Sequence, residues 1–452
     1  MIPQEFLTRM ERLLGDGYPA FLEALGGEST HALRLCRKKT DGATLLSLLP
    51  FAPMPLSFFD GGYLVPHGER PGIHPLHHAG AYYMQDPSAM ATVAALPFPI
   101  RGYRVLDLCA APGGKSGQLA DLVGEGGTLV SNELVPARAR VLLGNIERLG
   151  CENTAVLSAD PRAIAEMYDR YFDLTVVDAP CSGEGMFRKY PEASDEWSPA
   201  AVEAAAARGR LILDEAAKTV REGGYLLYST CTFSEEENEE TVSAFLAAHP
   251  DFALIPVAEA VRAVTAPGIA AEGRHPDITL TRRYYPHLAP GEGQYIALLE
   301  RRAGGVGGPT FRDACPSLPK GEEAAVRAAL SELLTEVPAR IVRQGDTYLA
   351  PPEGMPLPPR ALLRAGVALG SFSGKVFLPH HQLASAMGNR FRNQLLLKKG
   401  DPRVAAYLHG EEIAADPALR GFSAVLYEGI PLGLAKCSGG RAKNHYPKGL
   451  RI

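Results

Sequence analysis

The side chains with the clearest chemical potential stand just after short apolar segments. Four such segments are followed by a carboxylate, a thiol or both, and the residues concerned are Glu133, Asp160, Asp178, Cys181 and Cys231. A carboxylate can accept hydrogen bonds from ribose hydroxyls, and a cysteine is either a small buried hydrophobe or, as a thiolate, a nucleophile. If the segments are parallel strands, these residues meet at the edge of a sheet where ligands bind. The pattern therefore predicts a binding or catalytic site.

A glycine-rich loop, DLCAAPGGKSG at 107–117, follows an earlier apolar segment. Its glycines let a ligand approach the backbone, but their spacing fits neither GxGxxG nor GxxxxGK[ST]. We expect Glu133 to bind ribose hydroxyls and Asp160 to lie near an adenine amino group, although each acid alone is more often a helix cap. S-adenosylmethionine fits this loop better than NAD, because it has no pyrophosphate and its sulfonium and ammonium favour nearby acids. Asp107 is a candidate for an indirect contact to that ammonium.

Four motifs occur in a fixed order: DLCAAPGGKSG, NEL at 132–134, DAPCSGEGMFRK at 178–189 and STCTFSEEENE at 229–239. Together with QDPSAM at 85–90 and GEGQYIALL at 291–299, they resemble the Nop/Sun family of RNA cytosine-5 methyltransferases. The C-terminal SGGRAKNHYPKGLRI resembles the end of the PUA-like module of the bacterial RsmF-type branch, which modifies ribosomal RNA. The resemblance implies methyl transfer from S-adenosylmethionine to cytosine carbon 5, with 16S rRNA as the expected substrate. A tRNA or 23S rRNA substrate, or a ribosome-assembly RNA-binding protein with a vestigial core, remains an alternative.

The resemblance also implies a role for each motif residue. Cys231 would add to carbon 6 of the cytosine, and Cys181 would assist release of the methylated product. Asp178 would hold and protonate nitrogen 3 if burial keeps its carboxyl protonated, and Lys189 would contact the base or the backbone. The expected cofactor-binding residues are Cys109, Ala110, Ala111, Pro112, Gly113, Gly114, Lys115, Glu133, Asp160 and Asp178. A DNA cytosine-5 enzyme would instead use Cys181 as its nucleophile and would leave Cys231 unexplained.

Apolar segments alternate with helical patterns through the middle of the chain, and an Ala-rich helix is expected over 198–221. Near-continuous Val/Leu/Ile strands alternating with helices predict an α/β fold with a parallel sheet covered on both faces. We therefore expect a Rossmann-like class I methyltransferase sheet. The predicted domains are an N-terminal accessory RNA-binding domain (1–75), the methyltransferase (76–302), a Gly-rich linker (303–312), an intermediate subdomain (313–380) and a PUA-like RNA-binding domain (381–452).

Charge is distributed unevenly along the 452 residues, whose formal net charge is -5. Residues 436–452 contain five Lys or Arg and no acid, and residues 375–403 are also basic. Such local patches suit phosphate, although a solvated face is an equally common explanation. Ribosomal RNA or a ribosomal subunit is the expected partner, and we expect a monomer.

The seven cysteines contain no CxxC pair, which argues against a disulfide framework or a cysteine zinc site. No apolar run is long enough to span a membrane, so we expect a cytoplasmic protein with reduced thiols. HPLHH at 74–78 does not match HExxH, and no metal is predicted. The acidic run EEENEE after Cys231 predicts the first turns of a helix, and Trp197 is expected in the core. Structural roles are expected for the remaining cysteines, Cys36, Cys151, Cys315 and Cys437, and for the side chain of Cys109.

Overall fold

The N-terminal region combines four α-helices with a small antiparallel sheet. The computed structural model describes residues 2–313, 315 and 317–452. The elements of this region are α1 (Gln4–Leu14), α2 (Tyr18–Gly26), β1 (Ala32–Leu35), α3 (Gly42–Leu48), β2 (Met54–Pro55), β3 (Gly62–Leu64), α4 (Pro75–His78) and β4 (Tyr82–Met84). The sheet order is β2-β3-β1-β4. Helix α3 begins after Asp41 because that carboxylate accepts a hydrogen bond from the Thr44 N–H at 2.8 Å.

The middle region alternates strands and helices, as predicted. Its elements are α5 (Pro87–Ala94), β5 (Arg104–Asp107), α6 (Gly114–Val123), β6 (Thr128–Asn132), α7 (Pro136–Leu149), β7 (Thr154–Leu157), α8 (Pro161–Met167), β8 (Tyr168–Asp169), β9 (Phe172–Asp178), α9 (Pro191–Glu196), α10 (Pro199–Thr219), β10 (Val220–Thr230), α11 (Glu239–Ala248), β11 (Phe252–Leu254), α12 (Glu259–Arg262), β12 (Ala266–Pro267), β13 (Arg282–Tyr284) and β14 (Gln294–Arg301). The expected Ala-rich helix is α10.

The C-terminal third contains two further sheets and three helices within the described residues. Its elements are β15 (Gly308–Pro309), α13 (Lys320–Leu333), β16 (Val342–Gln344), β17 (Thr347–Ala350), β18 (Leu362–Ala365), β19 (Val367–Ser373), β20 (Val376–Pro379), α14 (His381–Met387), β21 (Gln394–Leu397), α15 (Arg403–His409), β22 (Ile413–Ala414), β23 (Gly421–Tyr427), β24 (Ile430–Ser438) and β25 (Arg441–Asn444). The two sheets have the orders β16-β17-β19-β20 and β21-β23-β24-β25-β22.

A central sheet positions the site, with the strand order β12-β13-β14-β10-β9-β5-β6-β7-β18 and β11 also paired to β14. The five inner strands β10, β9, β5, β6 and β7 are parallel, so their carboxyl ends meet at one edge. Side chains alternate between the two faces: Val105 belongs to one apolar core and Leu106 to the other. Helices cover both faces, which explains why these strands are buried throughout.

Two segments of the C-terminal third extend the methyltransferase region. Strand β18 pairs antiparallel with β7 and closes that edge of the central sheet. Strand β15, inside the Gly-rich stretch predicted as a linker, pairs with β8. The domain boundaries given above remain predictions, but these pairings show that the stretch lies against its neighbours.

The N-terminal sheet and the C-terminal sheet share one apolar core. Leu33, Leu45 and Tyr82 from the first pack in the same cluster as Tyr407 and Leu432 from the last. His78 Nδ1 also lies 3.1 Å from the Tyr446 hydroxyl. The two ends of the chain are therefore neighbours in space.

Candidate active site

Two thiols lie side by side where β9 and β10 end. These strands are parallel neighbours with Ser229 opposite Asp178, so the loops that follow them leave the sheet together. Cys181 Sγ and Cys231 Sγ are 3.2 Å apart, and both residues are half-buried. The hydrogen bond to Cys231, together with burial, raises the pKa of the Cys181 thiol. The structure thus brings together the two cysteines selected from the sequence.

Asp178, the last residue of β9, is fixed by three neighbours. Its Oδ2 accepts a hydrogen bond from Lys115 Nζ at 2.8 Å, and its Oδ1 accepts from Ser229 Oγ at 2.7 Å and Gln294 Nε2 at 3.2 Å. Burial is the largest single effect and disfavours the Lys115 ammonium, but the charge and hydrogen bond of Asp178, together with nearby Cys231 and Asp107, raise the Lys115 pKa. The Asp178 side chain is 32% exposed and ion-paired. The carboxyl is thus partly exposed rather than fully buried, and its role in protonating nitrogen 3 stays a prediction.

The glycine-rich loop joins β5 to α6. Gly113 precedes the helix with φ 112°, a conformation that side chains other than glycine rarely adopt. A Cβ at Gly114 would approach the Tyr83 ring to 3.2 Å, so the loop packs closely on the N-terminal sheet. The backbone around the turn is held by Ala110 N–H, which donates to Asn132 O at 2.8 Å, and by Asn145 Nδ2, which donates to Pro112 O at 2.9 Å. These contacts fix the shape that Cys109, Ala110, Ala111, Pro112, Gly113 and Gly114 present.

Glu133 stands directly after β6 and is almost fully buried. Its Oε1 accepts a hydrogen bond from Val135 N–H at 2.9 Å, and its Oε2 lies 3.5 Å from Arg138. Asn132, which sequence analysis did not select, ties the strand ends together: Nδ2 donates to Leu108 O at 3.1 Å and Oδ1 accepts from Ala159 N–H at 3.0 Å. The carboxylate is thus held at the carboxyl edge of the sheet.

Asp160 follows β7 and begins α8. Its side chain is exposed and accepts a hydrogen bond from Arg162 N–H at 2.9 Å, so it acts as a helix cap. Contact with an adenine amino group stays a prediction for this residue.

Asp107 supplies an independent indication of a ligand. Its Oδ2 accepts a hydrogen bond from Ser116 Oγ at 2.6 Å, whereas Oδ1 is buried without a hydrogen-bond partner among the described residues. Burial raises the pKa of Asp107 to about 7. An unpartnered buried acceptor between the glycine-rich loop and Glu133 suits a ligand carrying ammonium and hydroxyl groups. These acceptor oxygens fit S-adenosylmethionine, whose ammonium and ribose hydroxyls are donors.

The other residues selected from the sequence have less specific surroundings. Lys189 is half-buried at the end of a 3₁₀ turn (Glu184–Met186), where its N–H donates to Met186 O. Its role stays a prediction. Burial raises the pKa of the Cys109 thiol, which favours the inert protonated form. Trp197 is buried as expected.

Membrane and metal features can be assessed for the described part of the chain. No helix there is long and apolar enough to cross a membrane. No group of three His, Cys, Asp or Glu side chains there could hold a metal ion. In HPLHH, His74 Nδ1 accepts a hydrogen bond from Leu76 N–H and caps α4.

Sequence reasoning missed four side chains that surround the thiols and Asp178: Ser229, Gln294, Glu184 and Glu237. The acidic run was expected to open a helix, but α11 begins only at Glu239, and both Glu237 and Glu239 are buried. Ser229 and Gln294 lie inside quoted motifs, so the motifs gave a usable signal. That both side chains donate to Asp178 is evident only from the structure, in which β10 and β14 are adjacent strands.

Comparison with known proteins covers nearly the whole chain. Residues 96–300 match the family described as 16S rRNA methyltransferase RsmB/F. Residues 2–87 match the N-terminal domain of 16S rRNA methyltransferase RsmF, and residues 394–452 match the RsmF PUA domain. A ribosomal RNA small subunit methyltransferase F from Klebsiella pneumoniae is 30% identical over 475 residues, which are 99% of this chain and 96% of that protein. This chain belongs to the RsmF family of rRNA methyltransferases.

Further relatives agree with this RsmF-family assignment. The protein of the same name from Erwinia tasmaniensis is 29% identical over 480 residues, covering 99% of this chain and 96% of its own. A methyltransferase homologue from Pyrococcus horikoshii is 25% identical, with a TM-score of 0.58 over 66% of this chain and 95% of that structure. NSun6 from the same organism, solved with SFG, is 20% identical and shares the fold with a TM-score of 0.57, over 67% of this chain and 99% of its own. The predicted family, the Rossmann-like fold and the C-terminal PUA domain are confirmed, and the family is S-adenosylmethionine-dependent.

Proposed function

We propose that this RsmF-family protein methylates carbon 5 of a cytosine in RNA, with 16S rRNA as the substrate, through a transient bond from Cys231 to the base. The observation that carries the proposal is the 3.2 Å separation of Cys181 Sγ and Cys231 Sγ, beside the anchored carboxylate of Asp178. The reaction needs a nucleophile for carbon 6, a group that holds and protonates nitrogen 3, and a base that removes the proton from carbon 5. The site offers side chains for all three.

S-adenosylmethionine, when bound, supplies an electrophilic methyl group on a sulfonium. Glu133 would accept hydrogen bonds from its ribose hydroxyls. The backbone of the turn from Cys109 to Gly114 would line one side of its pocket. Asp107, whose buried Oδ1 has no hydrogen-bond partner among the described residues, is the residue that reaches the ammonium indirectly. Asp160 completes the predicted set at the end of β7.

Carbon 5 of cytosine is too weakly nucleophilic to attack a sulfonium directly. Addition of the Cys231 thiolate to carbon 6 moves the electron pair of the C5–C6 double bond toward nitrogen 3, which gives carbon 5 enamine character. Nitrogen 3 takes up a proton as this electron pair arrives: Asp178 passes the proton to it, and Lys115, in contact with Asp178 Oδ2, is the nearby proton source. After methyl transfer, Cys181 in its thiolate form takes the carbon 5 proton, the C5–C6 double bond re-forms, and Cys231 leaves as a thiolate.

Substitution of the two cysteines tests the proposal. Cys181→Ala should accumulate a covalent enzyme–RNA adduct that migrates slowly on denaturing gels, because the bond to carbon 6 forms but product release fails. Cys231→Ser should give neither adduct nor methylated RNA. If Cys231→Ser still turns over, or if Cys181→Ala forms no adduct, the nucleophile is not Cys231.

The substrate requires a separate measurement. Bisulfite mapping of total RNA from cells with and without the gene should show one or more protected 16S rRNA cytosines that lose protection in the deletion. Loss of protection only in tRNA or 23S rRNA would exclude the proposed substrate. Absence of S-adenosylmethionine binding by calorimetry, together with tight RNA binding, would indicate a vestigial core.

A further inference from the structure

The two thiols stand on separate loops that must keep a fixed relative position. The first cysteine loop, residues 179–190, follows β9, and the second cysteine loop, residues 231–238, follows β10. Backbone contact between them includes Gly185 N–H, which donates to Cys231 O at 2.9 Å. A Cβ at Gly185 would come within 2.8 Å of that oxygen, so glycine is required for the approach.

Glu237 connects the second cysteine loop to the first. Its Oε2 accepts a hydrogen bond from Ser182 N–H at 2.9 Å, and its Oε1 accepts from Ser182 Oγ at 2.5 Å. Ser182 Oγ also lies 2.9 Å from Thr232 Oγ1. Ser182 follows Cys181 directly and Thr232 follows Cys231 directly. These bonds therefore join the residues next to both thiols.

Glu184 makes the reciprocal connection from the first cysteine loop. One carboxylate oxygen accepts a hydrogen bond from Phe233 N–H at 3.0 Å, and the other accepts from Trp197 Nε1 at 2.9 Å. Each loop thus carries one buried glutamate that satisfies a backbone N–H of the other loop.

Ordinary stability does not account for these two carboxylates. Each is 2% exposed, and among the described residues neither forms an ion pair. Burial raises the pKa of Glu237 to about 7 and raises that of Glu184 as well, which is the mark of an unfavourable environment for charge. Glu239, in the same acidic run, is also buried but is neutralised by Arg283. Buried carboxylates that lack an ion pair and are held by hydrogen bonds reaching from one reactive loop to the other indicate a positioning function.

We propose that Glu184 and Glu237 are positioning residues that clasp the two cysteine loops and hold both thiols against one pyrimidine ring. We call the two glutamates with their hydrogen bonds to the opposite loop the clasp. Its importance for catalysis rests on the proposed function, whereas its effect on the distance between the thiols does not. Displacement of a reacting group by about 1 Å lowers rates by roughly 100-fold, so even small loosening of the loops is measurable.

Oxidation by diamide measures the thiol separation without any methyl transfer. In the full-length protein, the Cys181–Cys231 disulfide is quantified over time by mass spectrometry of tryptic peptides. The wild type should close this disulfide fast, because its sulfurs are already 3.2 Å apart. Glu237→Ala should close it at least about tenfold more slowly, since the effective concentration of one thiol at the other falls. Glu240→Gln, which alters an exposed carboxylate of the same run, should match the wild type.

Steady-state methylation supplies the second readout. Glu237→Ala should lower kcat by roughly 100-fold and leave KM for RNA unchanged, because the loops position reacting groups rather than RNA. Glu237→Gln should restore most of kcat: its carbonyl accepts from Ser182 N–H and its amide donates to Ser182 Oγ. A proton-transfer role would not be rescued by glutamine. Ser182→Ala, a smaller change, tests the same contact if Glu237→Ala fails to fold, and it should slow disulfide closure.

The outcomes separate the two proposals. Disulfide closure and kcat at wild-type values in both Glu237→Ala and Ser182→Ala would overturn the clasp. An inactive Glu237→Gln protein whose disulfide closes normally would also overturn it, in favour of acid–base catalysis. If the wild type forms no 5-methylcytosine while Glu237→Ala still closes its disulfide slowly, the clasp stands and the proposed reaction fails.

Discussion

At the scale of single residues, Asp107 is a buried carboxyl that should affect stability. It is completely buried at the end of β5, with Ser116 on one oxygen and no described partner on the other. Burying a carboxyl with one unpaired oxygen costs free energy of folding. A cationic ligand bound nearby would offset that cost. A site built for such a ligand is expected to weaken the protein that lacks it.

Asp107→Asn should therefore change the pH dependence of stability. The folded-state pKa of about 7 lies above the unfolded value, so stability is full at low pH and falls as pH rises toward 7. Asparagine does not titrate. The wild type should therefore lose stability relative to the variant as pH rises. The difference in unfolding free energy, variant minus wild type, should increase by roughly 2–3 kcal/mol from about pH 5 to about pH 8. Urea denaturation of the protein without cofactor measures this.

Asp60→Asn is the matched control, because Asp60 is exposed and forms only a surface pair with Arg37. Its relative stability should stay constant over the same range. If the relative stability of Asp107→Asn were as independent of pH as that of Asp60→Asn, ionisation of Asp107 would cost no folding free energy.

At the level of elements, the first cysteine loop is also anchored to the N-terminal region. Arg188 Nε donates to Glu292 at 2.8 Å, and its two other nitrogens donate to Ala24 O and Gly291 O, each at 2.8 Å. Glu292 accepts a further bond from Thr30 N–H at 3.1 Å. This buried pair holds α2, the first cysteine loop and the segment just before β14 in one arrangement.

Arg188→Met should destabilise the protein by about 3–5 kcal/mol, since it leaves the Glu292 charge buried without its partner. Urea denaturation with far-UV circular dichroism gives the value. Arg162→Met, which breaks an exposed pair with Glu166 within α8, should cost no more than about 0.5 kcal/mol. Equal effects of the two substitutions would contradict a structural role for the buried pair.

Much of the central sheet was predictable from sequence, because the signal for each strand lies within the strand itself. The parallel strands of the central sheet are buried on both faces, so each has an apolar pattern that can be recognised without knowledge of its neighbours. The acids and thiols at their ends were predictable for the same reason. The bond between Glu237 and Ser182 was not, because it joins residues 55 positions apart whose approach depends on loop shape. Strand β18 was missed because its partner, β7, lies some two hundred residues earlier in the chain.

At the scale of the whole molecule, the C-terminal sheet offers an exposed basic surface. Lys436 on β24 stands directly opposite Lys443 on β25, and like charges in that position repel unless an anion lies between them. Lys436 Nζ lies 5.3 Å from the centre of the Phe422 ring. Adjacent cations beside an aromatic ring suit the phosphates and bases of RNA.

Replacing both lysines should reduce the salt dependence of RNA binding. Lys436→Gln combined with Lys443→Gln should lower the magnitude of the slope of log K against log salt by about 1.4–1.8, because each lost phosphate contact contributes about 0.7–0.9. Filter binding to a 16S rRNA fragment at several salt concentrations measures the slope. Lys218→Gln, on α10, should leave it unchanged, and an unchanged slope in the double variant would place the RNA elsewhere.

The core shared by the first and last sheets has a consequence for biosynthesis. A nascent chain emerges from the ribosome with its N-terminal strands first, yet Leu33 and Tyr82 pack against Tyr407 and Leu432. Their apolar surface stays uncovered until almost the entire polypeptide has been translated. Premature termination late in the message should thus yield a product that is a substrate for chaperones and proteases, even though it contains both cysteine loops.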